Sequence, residues 1–239
     1  MTKKIKVIFF TGAGISAESG VKTFRDSDGT WEEYDVMQIA DISKWRATHN
    51  RKENRQYMLD FYNKLRAQLP TVHPNSAHIA IGEFEKLDGF DVHVITQNVD
   101  DLHERGGTTK IIHLYGELNK VRCTLTEEIY DHTGDLNVGD KSPNNAQLRP
   151  HIVWFGEAVP MMMPAVEMLS DVDAVVVCGT SLLVAPANMI FDILPKHVKK
   201  FYVNMEIPSK ETKEALGITC FEEAVTTGIP KVIKILTDE

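Results

Sequence analysis

The sequence predicts an α/β fold: a parallel sheet with helices on both faces, plus a smaller lobe formed by insertions. Three observations predict it. Short runs rich in β-branched and aromatic residues recur along the chain, their apolar residues continuous rather than alternating. Continuous apolar runs mark strands covered on both faces, as in a parallel sheet. Helical periodicity fills several of the intervals, the alternation that marks α/β architecture. Finally, the first run leads straight into the glycine-rich turn Thr11-Gly12-Ala13-Gly14-Ile15-Ser16-Ala17.

In chain order, the strands are read as Ile5–Phe10, Val92–Thr96, Lys110–Leu114, Ile152–Phe155, Asp173–Cys178 and Lys200–Val203. Each has four to six residues, and several end in Gly, Asn or Thr. The clearest helix is Lys52–Leu69, where Met58, Phe61, Tyr62, Leu65 and Leu69 share one face and Pro70 ends the run. A second runs from Asn75 or Ser76 to Leu87, a third over Pro186–Leu194, and Pro230–Leu236 closes the chain. Residues 27–50 and 124–150 break the alternation, being polar and irregular, and are expected to form the smaller lobe or lids.

Composition narrows the function. The 239 residues carry 26 basic and 34 acidic side chains, a formal charge of −8, which disfavours sequence-independent nucleic-acid binding and favours cationic partners. Three scattered cysteines exclude a disulfide framework and fit a reducing compartment. The apolar run after the basic start is too short for a signal peptide, and Ala174–Cys178 is far short of the ~20 residues of a membrane helix. A cytoplasmic protein without a membrane anchor is expected. No long apolar stripe or heptad run appears, so a monomer is expected.

Four motifs carry chemistry. Gly12, Gly14 and Ala17 satisfy G-x-G-x-x-A, whose small residues let backbone N–H groups approach a pyrophosphate. A strand ending in a ribose-binding acid should follow about 20 residues later. None is legible over residues 30–40, which argues against a plain hydride-transfer domain. Thr96-Gln97-Asn98-Val99-Asp100 follows a strand at the edge where open α/β sheets bind ligands; without the glycine turn it would read as a polar loop. His113, at the end of an apolar strand, has a side chain able to act as a general base near neutral pH, or simply to be structural. Cys178-Gly179-Thr180-Ser181 ends another strand, and Asn204 and Glu206 follow the next; each is a ribose or phosphate ligand or a turn former.

Together the motifs resemble the sirtuins, the NAD-dependent protein-lysine deacylases. The resemblance runs in order through GAGISAESGVKTFR at 12–25, TQNVDDLHERGG at 96–107, HLYGEL at 113–118, HIVWFGE at 151–157, GTSLLVAPA at 179–187 and VNME at 203–206. Phe61-Tyr62-Asn63 and Leu148-Arg149-Pro150 resemble the bacterial and mitochondrial-type branch. The resemblance implies one catalytic domain over 1–239, with a Rossmann-like lobe near 1–26, 74–115 and 151–239 and a small lobe near 27–73 and 116–150. NAD and an acyl-lysine peptide would bind between them. It assigns Gly12, Ala13, Gly14, Ile15, Phe24, Arg25 and Trp31 to the cofactor's phosphates and the mobile loop. Gln97, Asn98 and Asp100 would surround the nicotinamide ribose, with Gly179, Thr180, Ser181, Asn204, Glu206 and Ala224 at the adenosine end. His113 would be the base, with Asn98 beside it, and Tyr62, Arg66, Val153, Trp154, Phe155 and Gly156 would line the acyl-lysine path. The peptide would add as a strand beside Gly156-Glu157 and Leu183–Pro186. The implied reaction displaces nicotinamide with the acyl oxygen and moves the acyl group to a ribose hydroxyl, giving nicotinamide and O-acyl-ADP-ribose. ADP-ribosyl transfer, NAD hydrolysis, or a weakly catalytic NAD or acyl-lysine sensor are the alternatives on the same scaffold.

Two departures from the family pattern stand out. Sirtuins usually close the small lobe with a four-cysteine zinc site; Cys123 stands where the first ligand belongs, but no cysteine follows in 124–128 or near Lys141–Asn145. Glu127, Asp131 and His132 do not make a recognised ligand spacing, so a lobe without zinc is expected. The branch that removes succinyl and malonyl groups carries Y-x-x-R, whereas here Tyr62-Asn63-Lys64-Leu65-Arg66 puts Leu65 at i+3 and the arginine at i+4. Either Arg66 reaches the acyl pocket, or it is solvated and the pocket is apolar.

Overall fold

The computed structural model describes residues 3–21, 34–181, 190–195 and 197–238. The predicted site residues Phe24, Arg25 and Trp31, and the segment Leu183–Pro186, lie outside them.

The chain begins with strand β1 (Ile5–Thr11) and the short helix α1 (Ala13–Ala17). After the helices α2 (Val36–Ile39), α3 (Ile42–Arg46), α4 (Arg51–Gln68) and α5 (Ser76–Glu85) come β2 (Phe90–Thr96), α6 (Leu102–Arg105) and β3 (Ile111–His113). Three strands then pair among themselves: β4 (Gly116–Cys123), β5 (Ile129–Asp131) and β6 (Leu148–Ile152). The remainder is α7 (Met162–Leu169), β7 (Ala174–Cys178), α8 (Ile190–Ile193), β8 (Lys199–Asn204), α9 (Lys210–Leu216), β9 (Ile218–Glu222) and α10 (Val225–Thr237).

A six-stranded parallel sheet of order β3-β2-β1-β7-β8-β9 forms the larger layer. Its strands alternate between two cores, as side chains on a pleated strand must. Val7, Phe9, Val94 and Val176 pack with Ile81 and Phe84 of α5 and Ile229 and Val232 of α10. Ile8, Phe10, Ile95, Val175 and Val177 pack on the other face with Ala165 and Leu169 of α7. Burial on both faces explains the continuous apolar runs in the sequence.

The regions read as irregular have structure of their own. Within 27–50, Asp35 and Asp41 cap α2 and α3, accepting from Met37 N at 2.9 Å and Ser43 N at 2.7 Å. These helices bury Ile39, Ile42 and Trp45 against α4 and the antiparallel sheet of order β5-β4-β6, forming a third core. Such short helices leave too few apolar positions to register as periodicity.

Two predicted elements are corrected. The strand read as Ile152–Phe155 is instead Leu148–Ile152, and it belongs to the antiparallel sheet. Beyond it, Phe155 N donates to Ala40 O at 2.7 Å and Ile42 N to Phe155 O at 3.1 Å, tying the segment to the α2–α3 junction. The closing helix starts at Val225, not Pro230, which lies inside it. Proline deprives the carbonyl four residues back of its donor. That carbonyl, Thr226 O, accepts instead from Ser76 Oγ at 3.2 Å. Of the predicted helix Pro186–Leu194, the described residues show Ile190–Ile193.

Candidate active site

One register row of the parallel sheet assembles the site. His113 pairs with Thr96, Thr96 with Thr11, Thr11 with Cys178, and Cys178 with Val203. Each is at or near the C-terminal end of its strand, so the four motifs read from the sequence emerge side by side. That edge is where ligands bind in open α/β sheets.

The glycine turn is seated on the turn after β7. Gly14 N donates to Gly179 O at 2.7 Å, and Gly12 N to Cys178 O at 3.1 Å. A Cβ on Gly14 would lie 2.7 Å from Gly179 Cα, and Gly179 itself has φ +62°. Glycine is therefore required on both sides of this contact. A Cβ on Gly12 would meet Thr180 Cβ at 2.6 Å and Gln97 Oε1 at 2.9 Å, which places three predicted cofactor residues together. Ala13 and Ser181 are exposed at the same crevice, while Ile15 points into the core. Asn204 donates to Thr180 O at 3.4 Å, Glu206 is exposed beyond β8, and Glu223 N donates to Asn204 O at 3.1 Å, bringing Ala224 to that strand end.

Behind the turn lies a buried polar chain. Asn98 Nδ2 donates to Gly12 O at 3.1 Å and to Ser16 Oγ at 2.9 Å. Ser16 Oγ in turn donates to Asp100 Oδ2 at 2.9 Å, and Asp100 Oδ1 accepts from Leu102 N at 3.1 Å. Burial raises the Asp100 pKa, opposed by these same donors. Asp100 thus spends both oxygens inside the protein, fixing the glycine turn and the start of α6. Ser16 was not singled out from sequence, although it stands within the glycine motif.

His113 is 8% exposed at the end of β3. Its Nδ1 lies 2.8 Å from Asn98 O and its Nε2 lies 2.8 Å from Glu104 Oε1. Burial works to lower its pKa, but the Glu104 contact, the Asn98 carbonyl and Glu117 outweigh it and raise the value. Glu104 shifts the opposite way: burial would raise its pKa, but the imidazole lowers it, as an ion pair requires. Glu104 is a second residue missed from sequence; only its place one turn after Asp100 could have flagged it.

The residues predicted for the acyl-lysine path divide. Trp154 is buried, and its Nε1 donates to Tyr62 Oη at 2.8 Å. Glu157 accepts from Trp154 N at 2.9 Å and from Arg149 Nη1 and Nη2 at 2.7 and 2.8 Å, while the Arg149 guanidinium lies 3.6 Å over the Trp154 ring. Val153 is half-buried, and Phe155 and Gly156 are exposed. Arg66 is not solvated. It is buried, with Nε on Leu118 O at 2.7 Å and Nη1 on Asn63 Oδ1 at 2.9 Å and Gly134 O at 3.0 Å.

The Cys123 thiol is hydrogen-bonded within the protein. Its Sγ lies 3.2 Å from Ser142 Oγ and accepts from Leu125 N at 3.4 Å and Thr126 N at 3.5 Å. These donors hold the thiol pKa down to about 7. Among the described residues, Cys123 joins no group of three candidate ligands, and one thiolate cannot supply a tetrahedral zinc site.

Comparison with known proteins agrees with this geometry. The Sir2 family model matches residues 12–186. The chain is 42% identical over 238 residues to an NAD-dependent protein deacylase of Helicobacter pylori strain J99, covering 98% of this chain and 97% of that protein. It is 37% identical over 238 residues to one of Bacteroides thetaiotaomicron, covering 96% and 97%. Its structure is similar to a Sir2 homologue–NAD complex, with a TM-score of 0.83 and 28% identity over 99% of this chain and 91% of that one. The ordered motifs, the sheet edge that gathers them and these likenesses have one explanation: the chain belongs to the Sir2 family.

Proposed function

We propose that this chain is an NAD-dependent protein-lysine deacylase that releases nicotinamide and O-acyl-ADP-ribose. One observation carries the reading: His113 stands at the same sheet edge as the glycine turn, with its Nδ1 against the Asn98 carbonyl and its Nε2 paired with the partly exposed Glu104. The residues fit a bound NAD. The Gly14–Gly179 contact holds the turn close to the crevice, and Asn204 and Glu206 stand at the neighbouring strand end. NAD supplies the electrophilic ribose carbon and the hydroxyl that receives the acyl group. The chain's own groups do the rest. Asn98, Ser16 and Asp100 fix the floor of the site, His113 takes the hydroxyl proton at Nε2, and Trp154 helps keep water from the acyl-lysine arm.

The preferred substrate is a neutral acyl-lysine, acetyl or longer, in a protein or peptide that adds beside Gly156-Glu157. Supporting this, Arg66 is buried, with its Nε and Nη1 bonded to Leu118, Asn63 and Gly134, and Leu65 occupies the i+3 position. We read the two sheets as the two lobes, near 1–26, 74–115 and 151–239 and near 27–73 and 116–150, with hydrogen bonds around Cys123 standing where the family places zinc.

Mass-spectrometric product analysis with NAD and acetyl-, succinyl- and myristoyl-lysine peptides tests this. Peptide-dependent nicotinamide release with O-acyl-ADP-ribose is expected, and His113→Ala should abolish it while retaining NAD binding. Nicotinamide release that ignores the peptide would make the chain a hydrolase instead. Transfer of ADP-ribose onto protein would make it a transferase.

A further inference from the structure

The His113 ring is held from both sides by oxygen. Asn98 O, 2.8 Å from Nδ1, is a carbonyl and only accepts, so Nδ1 carries a proton. Glu104 Oε1, 2.8 Å from Nε2, is an acceptor when ionised. An ionised Glu104 in this contact therefore requires a proton on Nε2 as well. The paired ring is an imidazolium, which cannot act as a base.

We propose that Glu104 is a positioning residue for the His113 base: it holds the Nε2 edge in the resting site and yields that nitrogen to the ribose hydroxyl. The inference rests on the deacylase reading. Two features suit Glu104 to this role. Its side chain is 40% exposed against 7% for His113, so it can swing into water while the imidazole stays in place. It is also aimed by the buried chain, because Asp100 Oδ1 accepts from Leu102 N at the start of the four-residue helix that carries Glu104. Ser16 and Asn98 thus position the carboxylate as well as the glycine turn.

The proton count gives the consequence. His113 serves as base only after losing the Nε2 proton, and the Glu104 carboxylate opposes that loss. Other groups face the ring too. Glu117 on β4 adds negative charge in the same sense, with Lys120 bound to it at 2.9 Å. Asp100 and His103 lie on the α6 side, and His103 is kept neutral by burial, its pKa falling well below the ordinary value. Glu104 alone among these groups contacts Nε2. Removing its charge should make His113 easier to deprotonate, so the acid limb of kcat/KM should move to lower pH.

The test is the pH profile of kcat/KM for NAD at saturating acetyl-lysine peptide, which reports the site before the ribose hydroxyl takes Nε2, in wild type, Glu104→Gln and Glu117→Gln. Alongside it, the His113 imidazole is titrated by NMR in each ligand-free protein, with its signal identified by loss in His113→Ala. In Glu104→Gln the His113 titration and the acid limb should both move to lower pH. The variant-to-wild-type ratio of kcat/KM should then rise several-fold from neutral to mildly acidic pH, and Glu117→Gln should move both less. A folded Glu104→Gln protein with an unmoved His113 titration overturns the proposal, as does a moved titration with an unmoved acid limb. Absence of NAD-dependent deacylation in wild type overturns the deacylase reading and this role together.

Discussion

The Trp154 indole nitrogen donates to the Tyr62 hydroxyl across 2.8 Å, so two residues expected on the acyl-lysine path are hydrogen-bonded to each other. Both are buried, and the Tyr62 rings with Trp154 and Phe61 at centroid distances of 6.0 and 5.1 Å belong to the core of the smaller layer. Burial drives the phenol pKa up, so Tyr62 remains a neutral partner. Tyr62→Phe leaves the indole N–H unpaired and should cost about 1–3 kcal/mol of stability. Chemical denaturation measures the loss, and an unchanged midpoint would show that the bond contributes nothing.

Arg66 separates a structural role from a substrate role. Its guanidinium bridges α4 to Leu118 on β4 and to Gly134. Arg66→Ala should destabilise by about 3 kcal/mol, since hydrogen bonds to a buried charged group are lost together. The ratio of succinyl to acetyl turnover should stay as in wild type. A succinyl activity selectively lost in this variant would show that the arginine reads the acyl group.

Glu157 links stability to pH. Burial would raise its pKa, but Arg149, the Trp154 N–H and Arg122 outweigh this and lower it. A group with a lowered folded pKa stabilises above its unfolded value, and that contribution disappears as pH falls through the folded value. Glu157→Gln should therefore lower stability at neutral pH by about 3 kcal/mol, the scale for breaking a buried ion pair. The two stability curves should converge in acid. Parallel curves down to low pH would show that the carboxylate charge is not what matters.

Gly14 tests the cofactor turn. An alanine there would collide with Gly179 backbone, its Cβ 2.7 Å from Cα and 2.8 Å from the carbonyl oxygen. Backbone cannot swing aside, so the turn must open. Gly14→Ala should weaken NAD binding at least tenfold, about 1.4 kcal/mol or more, as read by calorimetric titration. Unchanged affinity would place the dinucleotide elsewhere.

The small lobe should close without metal. Purified protein should carry far less than one zinc per chain, and a chelator should leave its thermal transition in place. Near-stoichiometric zinc whose removal melts the lobe would overturn this.

The sequence determined the α/β class and the strand cores, because a strand buried on both faces must be apolar throughout. Phe9 and Phe10 point to opposite cores, and no single-faced pattern would have placed both. It also determined the glycine turn and the missing zinc ligands, since small residues and thiols are legible one by one. The short capped helices around Ile39 and Ile42 were not legible, because their order comes from packing on α4 rather than from their own periodicity.

What only the tertiary structure decided is which polar groups are spent. Asp100 and Arg66 read alike from sequence as available charges, yet each is buried and held by partners far along the chain, Asp100 by Ser16 and Arg66 by Leu118 and Gly134. Glu104, unremarkable in sequence, meets His113 because parallel pairing sets the ends of β2 and β3 side by side. A residue's chemistry is written in its type. Whether that chemistry is free to act depends on which donors and acceptors the folded chain brings within hydrogen-bond reach.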